Sequence, residues 1–297
     1  MSESNTLMNG ARRLRSLLSE GRLISAPGAA DALAARLVAA AGFEAVYMTG
    51  LGATASRLGQ PDLGLLTQTE MADHAGAMVR AGRLPVIADA DTGYGGPLNV
   101  QRTVQQYAQA GVAAMHLEDQ AIPKRCGQLA GVRLVERHEA ASRLAAAVAA
   151  RAECGADMLL IGRTDALQPE GLASAIDRAK AYRDTGIDLV FIDGVRTRAE
   201  VEGIARGLDG AKVISLVDGT DAAALTTDQL QAMGFSIVLY AVTQMFAAMH
   251  AARLALAHLK THGSAHGLAH QMNYAQYAAI VGLEQAQSFA HRHEIEP

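Results

Sequence analysis

The stretch PKRCGQLAG, Pro123 to Gly131, sets a thiol beside two cations, directly after an apolar run that ends in carboxylates, LEDQ. A cysteine next to Lys124 and Arg125 is expected to have a depressed pKa, and Gly127 and Gly131 give the segment hinges. Upstream, DADTGYG places Asp89 and Asp91 at i and i+2. On an extended strand these project to one face, where their charges repel unless a cation lies between them. Glu118, in MHLED, adds a third oxygen donor, and an all-oxygen set with room for water suits Mg2+, or Mn2+, better than zinc. Arg163, in GRTD, reads either as a bidentate clamp on a substrate carboxylate or as the ion-pair partner of Asp165 or of another carboxylate. His116 reads as a ligand contact or as hydrogen-bonded core, and Tyr47 as site residue or barrel filler with a wet hydroxyl. Cys154, in ECGAD, is expected to be a buried apolar residue. His262, His266, His270, His291 and His293 offer no helical metal pair with a third ligand and are expected on the solvated surface.

Positioning these groups requires a scaffold that gathers distant segments. Eight short apolar runs alternate with longer stretches of helical period: LISAPG (23–28), AVYMTG (45–50), PVIADA (85–90), AAMHLED (113–119), DMLLIGRTD (157–165), LVFIDG (189–194), KVISLV (212–217) and IVLYA (237–241). Eight strand–helix units predict an α/β protein, a (β/α)8 TIM barrel, in which the active site lies at the C-terminal ends of the strands. The reactive residues fall at those ends: Tyr47 to Gly50, Asp89 to Gly93, His116 to Asp119, Arg163 to Asp165, and Asp193. No linker divides the chain, so residues 1–297 read as one domain with a helical extension over about 242–297. That extension holds a helix from Val242 to His262 and a further helical stretch around 268–291 with no strand to follow. An apolar stripe of that kind needs burial, and it is expected to pack on a neighbouring subunit.

At 297 residues and 50% hydrophobic, the chain can bury a large core. The net charge of −4 and the scattered Lys and Arg disfavour nucleic acid and anionic membranes, leaving a small molecule as the expected partner. The polar start MSESNTLMNGARRLRS and the absence of a long apolar run predict neither a signal peptide nor a membrane span, hence a soluble, cytoplasmic protein. Two cysteines, Cys126 and Cys154, are too few for a disulfide framework.

Taken in order and spacing, DADTGYG, HLEDQ, PKRCG and GRTDA resemble the isocitrate lyase and phosphoenolpyruvate mutase superfamily, on its short-chain branch with the 2-methylisocitrate and 2,3-dimethylmalate lyases, from about Gly28 to Met245. The resemblance implies a barrel whose final helix is swapped between paired subunits, usually in a homotetramer, and Mg2+ as the required ion. It implies that Asp91 holds the metal most directly, with Asp89 and Glu118 reaching it through waters and Asp62, in QPDLG, close by. By the same resemblance Tyr47, Thr49, Gly50 and Leu51 bind the carboxylate of an α-keto acid, and Arg163 and His116 complete that pocket. Members that break carbon–carbon bonds carry K-[KR]-C-G-H on a mobile loop, and the phosphonate-forming mutases lack the cysteine. This chain has KRCGQ, departing at Gln128; Leu51 replaces a frequent glycine, Asp193 a frequent glutamate, Ser215 an asparagine and Asp218 a glutamate.

The implied reaction is a Mg2+-assisted retro-aldol cleavage of a 2-hydroxy dicarboxylate or tricarboxylate, of the 2-alkylmalate, 2,3-dimethylmalate or 2-methylisocitrate type. It gives an α-keto acid such as pyruvate plus a carboxylic acid. Cys126 would be the general acid, with Lys124 and Arg125 tuning it. The base stays open between Tyr47, Glu118 and a hydroxide on the metal. Alternatives on this scaffold are an oxaloacetate decarboxylase or hydrolase and a carboxyphosphonoenolpyruvate phosphonomutase-like enzyme.

Overall fold

Parallel pairing joins eight strands into one closed ring in chain order. They are β1 (Ile24–Ala29), β2 (Val46–Met48), β3 (Val86–Asp89), β4 (Ala114–Glu118), β5 (Leu159–Thr164), β6 (Leu189–Ile192), β7 (Lys212–Ser215) and β8 (Ile237–Tyr240). The structure is a computed structural model and describes residues 10–293. Seven strands lie within the apolar runs read from the sequence, β1 runs one residue past its own to Ala29, and β1 closes on β8 through Ile24 opposite Ile237. The protein is therefore the α/β TIM barrel that its pattern predicts.

Because side chains alternate along a strand, each strand feeds two cores. Ile24, Tyr47, Ile87, Ala114, Leu159, Ile161, Phe191, Val213, Ile237 and Leu239 fill the barrel interior, together with Leu14 and Leu17 of the first helix, Gly10–Ser19. Met48, Val86, Met115, Leu160, Val190, Ile214 and Val238 face outward and pack under the surrounding helices. His116 lies between Met115 and Leu117 and so points inward with Ala114. There its ring sits edge-on to Phe191 and tilted against Tyr47.

Strand register decides which polar groups meet at the C-terminal rim. Asp89 pairs with His116 between β3 and β4, and Glu118 pairs with Arg163 between β4 and β5. Neighbouring apolar runs thus carry their terminal charged residues to the same height.

A second compact unit begins at Gln244. Its helices, Thr243–His262, Tyr274–Val281 and Leu283–His291, contain no buried residue, and Phe246, Met249, Leu254, Leu256, Tyr274 and Phe289 are exposed. The stretch expected as one helix around 268–291 is two, because Gly282 takes a left-handed conformation (φ 75°) that ends the first. The five tail histidines are exposed, as expected. Cys154 is not the buried residue expected: it follows the last turn of the helix Arg137–Glu153 and is exposed. Among the described residues no helix is long and apolar enough to cross a membrane.

Candidate active site

The aspartates come together by a different route from the one their spacing suggests. β3 stops at Asp89, and Asp91 takes a left-handed conformation (φ 47°), uncommon outside glycine but tolerated by aspartate. The turn is held because the Asp91 N–H donates to Asp89 Oδ1 (2.9 Å) and the Glu118 N–H donates to the Asp91 carbonyl (2.9 Å). All three carboxylates are buried at the rim.

The helix Gly50–Leu58 begins directly after β2, with Thr49 as its N-cap accepting from the Gly52 N–H. A Cβ on Gly50 would lie 2.4 Å from Asp89 Oδ2, so only glycine brings this helix start against the carboxylate. Leu51, half-buried, is the second residue of that helix. Unpaired N–H groups at such a terminus suit a carboxylate ligand.

The segment carrying Lys124 and Cys126 is closed over these groups. Lys124 is buried, its Nζ 2.8 Å from Asp62 Oδ1 and 2.6 Å from Asp91 Oδ1. The Cys126 N–H donates to the Asp62 carbonyl (3.0 Å). A Cβ on Gly127 would lie 2.7 Å from both Arg163 Nη2 and Asp193 Oδ2, so the backbone here rests directly on the Arg163 cluster. Arg163 donates to Asp165 Oδ1 from Nε and Nη2 (3.0 and 2.9 Å) and to Asp193 Oδ2 (2.6 Å), stands 3.4 Å from Glu118 Oε2, and stacks over Phe191. Of the two sequence readings, the ion-pair partner of Asp165 is what this closed state contains.

Burial dominates the electrostatics. Asp89 is buried, which alone would raise its pKa, but His116, Lys124, Arg163 and the Asp91 N–H outweigh this and bring it down to about 2. Burial pushes His116 down to about 4, so it is neutral at neutral pH and adds its charge only in the acid range where Asp89 itself titrates. Its Nε2 lies 3.0 Å from the Tyr47 hydroxyl and its Nδ1 3.8 Å from Asp89 Oδ1, an arrangement served by a proton on Nδ1. Asp91 is raised to about 6 by burial and by repulsion from Asp89 and Asp62, against the pull of Lys124. Burial raises Glu118 and Tyr47 well above their ordinary values. Lys124 and Arg163 stay firmly protonated: burial opposes their charge, but the surrounding carboxylates prevail.

The thiol departs from expectation. Burial raises Cys126 to about 11, and the charges acting on it most are Asp62 and Asp193, against Arg163. Lys124 is committed to two aspartates, and Arg125 turns within the loop so that Nη1 donates to the Ala130 carbonyl (2.9 Å). The cations adjacent in sequence do not activate the sulfur, and Cys126 is a protonated thiol at neutral pH.

The remaining candidates lie at the same rim. Asp193 is buried just beyond β6 and Ser215 ends β7. Gln128 is half-buried; its Nε2 is buried with no hydrogen-bond partner. The HLEDQ run contributes two more residues: Asp119, read from the sequence among the reactive strand-end residues but given no role, and Gln120, which sequence reasoning missed. Asp119 is a buried hub that accepts from Thr164 Oγ1 and the Tyr182 hydroxyl (both 2.6 Å) and from the Asp165 N–H (3.0 Å), fixing the residue that grips Arg163. Gln120 reaches the loop itself. The signal available for both was their place directly after Glu118.

These donors suit a hard cation. Glu118 Oε1 is buried without a hydrogen-bond partner, and Asp91 Oδ1 has the Lys124 ammonium beside it without an aligned hydrogen bond. Among the described residues no three His, Cys, Asp or Glu side chains converge into a ready cage. Mg2+ is usually bound through one or two carboxylates and keeps several waters, so Asp91 with Asp89 or Glu118 would be a sufficient protein donor set.

A TIM barrel with buried carboxylates, a lysine and a protonated thiol closed together at the strand C-termini has its reactive groups where enzymes of this fold carry their active sites. Residues 14–260 match the phosphoenolpyruvate phosphomutase family. The chain is 39% identical over 287 residues to a 2,3-dimethylmalate lyase of Eubacterium barkeri, covering 96% of this chain and 99% of that one. It superposes on an oxaloacetate acetylhydrolase bound to the inhibitor 3,3-difluorooxalacetate with TM-score 0.90 at 38% identity, covering 96% and 97%. It superposes on a phosphonopyruvate hydrolase in complex with oxalate and Mg2+ with TM-score 0.85 at 30% identity, covering 96% and 99%. The chain belongs to the phosphoenolpyruvate phosphomutase family, within the isocitrate lyase and phosphoenolpyruvate mutase superfamily, and is an enzyme of that group.

Proposed function

We propose that the protein is a divalent-metal-dependent carbon–carbon lyase that cleaves a 2-hydroxy dicarboxylate of the 2-alkylmalate or 2,3-dimethylmalate type to an α-keto acid, such as pyruvate, plus a carboxylic acid. The observation that carries this reading is the closed loop, which sets a protonated Cys126 among Asp62, Asp193 and Arg163, above the strand-end carboxylates.

Asp91, with Asp89 and Glu118, would hold Mg2+, which supplies positive charge against the oxygens of the keto-acid fragment. The helix start at Thr49, Gly50 and Leu51 binds the substrate carboxylate, and Arg163 and His116 border it. Tyr47 keeps its own proton at neutral pH and is the weaker candidate for base; Glu118, whose Oε1 is buried without a hydrogen-bond partner, is the side chain placed to take the proton of the 2-hydroxyl. The C2–C3 electron pair passes to the departing fragment as an enolate, C2 becomes the keto carbon, and the Cys126 thiol gives its proton to C3. Asp62 and Asp91 hold Lys124 where it offsets the developing negative charge. Outside the barrel, the exposed helices from Thr243 onward would seat on a neighbouring chain in a homotetramer of helix-swapped dimers.

The test is an assay of purified protein with and without Mg2+ on a panel of malates, isocitrates and oxaloacetate. Mg2+-dependent pyruvate release from a malate supports the reading. Oxalate release from oxaloacetate alone would replace it with the hydrolase, the second reading favoured by the similarity to an acetylhydrolase.

Within the panel, 2-alkylmalates and 2,3-dialkylmalates are expected to have higher kcat/KM than 2-methylisocitrate. The resemblance places a loop histidine and a strand asparagine around a third carboxylate, where this chain has Gln128 and Ser215. An amide donates hydrogen bonds without charge, and one charge-assisted bond lost corresponds to about 10- to 100-fold in kcat/KM. Gln128→His should narrow the gap. A tenfold or greater preference for 2-methylisocitrate would refute this specificity argument and leave the lyase reading standing.

Seating of the loop gives a further expectation. Gly127→Ala should lower kcat by roughly tenfold or more, because its Cβ would strike Arg163 and Asp193 only when the loop is closed. Its thermal midpoint should stay close to the parent's. An alanine variant with parental kcat would mean that turnover does not depend on this contact.

A further inference from the structure

Gln120 follows Glu118 by two residues, is 1% exposed, and lies at the base of the loop, where its backbone bridges to Leu134 on the returning strand of chain. The Ala121 N–H donating to the Arg133 carbonyl (2.8 Å) ties the same base. The backbone thus ties the two ends of the loop to each other, and its tip is held by one backbone bond, from the Cys126 N–H to the Asp62 carbonyl (3.0 Å).

The side chain reaches further. Its Oε1 accepts from the Arg125 N–H (3.0 Å), while Nε2 donates to the Arg125 carbonyl (2.8 Å) and to Asp165 Oδ2 (2.6 Å). A carboxamide has two donor hydrogens and one acceptor oxygen, and here all are used. Both polar groups of the Arg125 peptide, which lies between Lys124 and Cys126, are held by one amide. The other donor hydrogen grips the carboxylate whose second oxygen holds Arg163.

We propose that Gln120 is the positioning residue that latches the closed loop, coupling the placement of Lys124 and Cys126 to the Asp165–Arg163 pair that borders the substrate. This rests on the lyase reading only in what the latch is for. The geometry demands an amide. A carboxylate of the same shape would offer no donor to the Arg125 carbonyl and would face Asp165 with like charge. Asparagine keeps the donors but is one methylene shorter and cannot span both partners.

The test uses the full-chain protein and trypsin, which cuts after Lys124 and Arg125 only when the loop leaves the barrel. In Gln120→Glu, nicking at these two positions, followed by fragment mass, should run about 10- to 100-fold faster than in the parent, the range for a lost charge-assisted bond. Cleavage elsewhere in the barrel should be unchanged. Adding Asp165→Asn removes the repulsion and returns a donor, so the double variant should nick more slowly than Gln120→Glu alone. With substrate, kcat should fall in the same proportion and KM much less, since the carboxylate site at Gly50 does not move. Should Gln120→Glu fail to fold, Gln120→Asn gives the same readout with a smaller expected acceleration. Parental nicking in a folded variant, or acceleration shared by sites throughout the barrel, would overturn the latch. Faster nicking in a protein whose parent cleaves no malate would uphold the latch and remove the lyase reading.

Discussion

Asp91→Ala is expected to lower kcat/KM by roughly 10³-fold or more, because a catalytic metal supplies several kcal/mol and about 1.4 kcal/mol is a tenfold change in rate. The same change should barely weaken the metal-free fold, and the sign of the Asp91 shift says why. Its carboxyl is raised from an ordinary 3.8 to about 6, burial first and then Asp89 and Asp62 disfavouring the charge. A carboxyl with a raised folded-state pKa contributes most to stability below its unfolded value, and that contribution is lost as pH rises through about 6. At neutral pH the ionised Asp91 therefore costs on the order of 3 kcal/mol in the metal-free protein. Alanine removes this cost and introduces a left-handed backbone penalty of about 1–2 kcal/mol. Asparagine removes the charge and tolerates that backbone, so metal-free Asp91→Asn should melt at or above the parent at neutral pH, with the difference vanishing near pH 4. Mg2+ should raise the parent's midpoint and leave both variants unmoved. Parental turnover in excess chelator, or an Asp91→Ala enzyme retaining a tenth of parental activity, would sink the assignment.

The barrel was legible because its evidence is local and repeated. Eight apolar runs of strand length specify the ring, and the polar or charged residues at the ends of the second to sixth specify the rim on which the chemistry gathers. Register then brings Asp89 to His116 and Glu118 to Arg163 without further instruction. Partner choice among like-charged candidates was not legible. Lys124 and Arg125 lie two and one residues before Cys126, yet one is drawn by Asp62 and Asp91 and the other by a carbonyl within the loop. The thiol's environment was misread for that reason: adjacency along the chain stood in for a field set by residues 60 to 70 positions away. Arg163 stayed ambiguous because Asp193, half of its grip, arrives from another strand. Asp91 reached Asp89 by a left-handed turn, a conformation that a period-two pattern does not encode. Gln120 carries no mark as a single residue; its value lies in having both of its donors and its acceptor met at once.

Cys126→Ser is expected to preserve binding of oxalate, a dicarboxylate that mimics the enolate of pyruvate, while turnover drops by roughly 10²-fold or more, the usual contribution of a general acid. The raised thiol pKa sharpens this expectation. At about 11 the sulfur is protonated across the neutral range, so it brings no negative charge against an incoming dicarboxylate and arrives with the proton it must give. The acceptor carbon of a carboxylate enolate is far more basic than a thiolate, so the transfer runs downhill even from a weakened acid. A serine hydroxyl is weaker still by several orders of magnitude, and it is shorter in reach, which is why this small substitution should be so costly. The sign for pH follows from the same value: the acid form persists until pH approaches 11, so the thiol should impose no alkaline fall in kcat near 9. The closed loop should also protect the sulfur. Iodoacetamide at neutral pH should modify the exposed Cys154 first, with Cys126 reacting faster once the loop opens, as in Gln120→Glu. A serine variant with near-parental turnover would exclude Cys126 as the proton donor, and Lys124, whose ammonium the loop sets 2.6 Å from Asp91, would inherit the role.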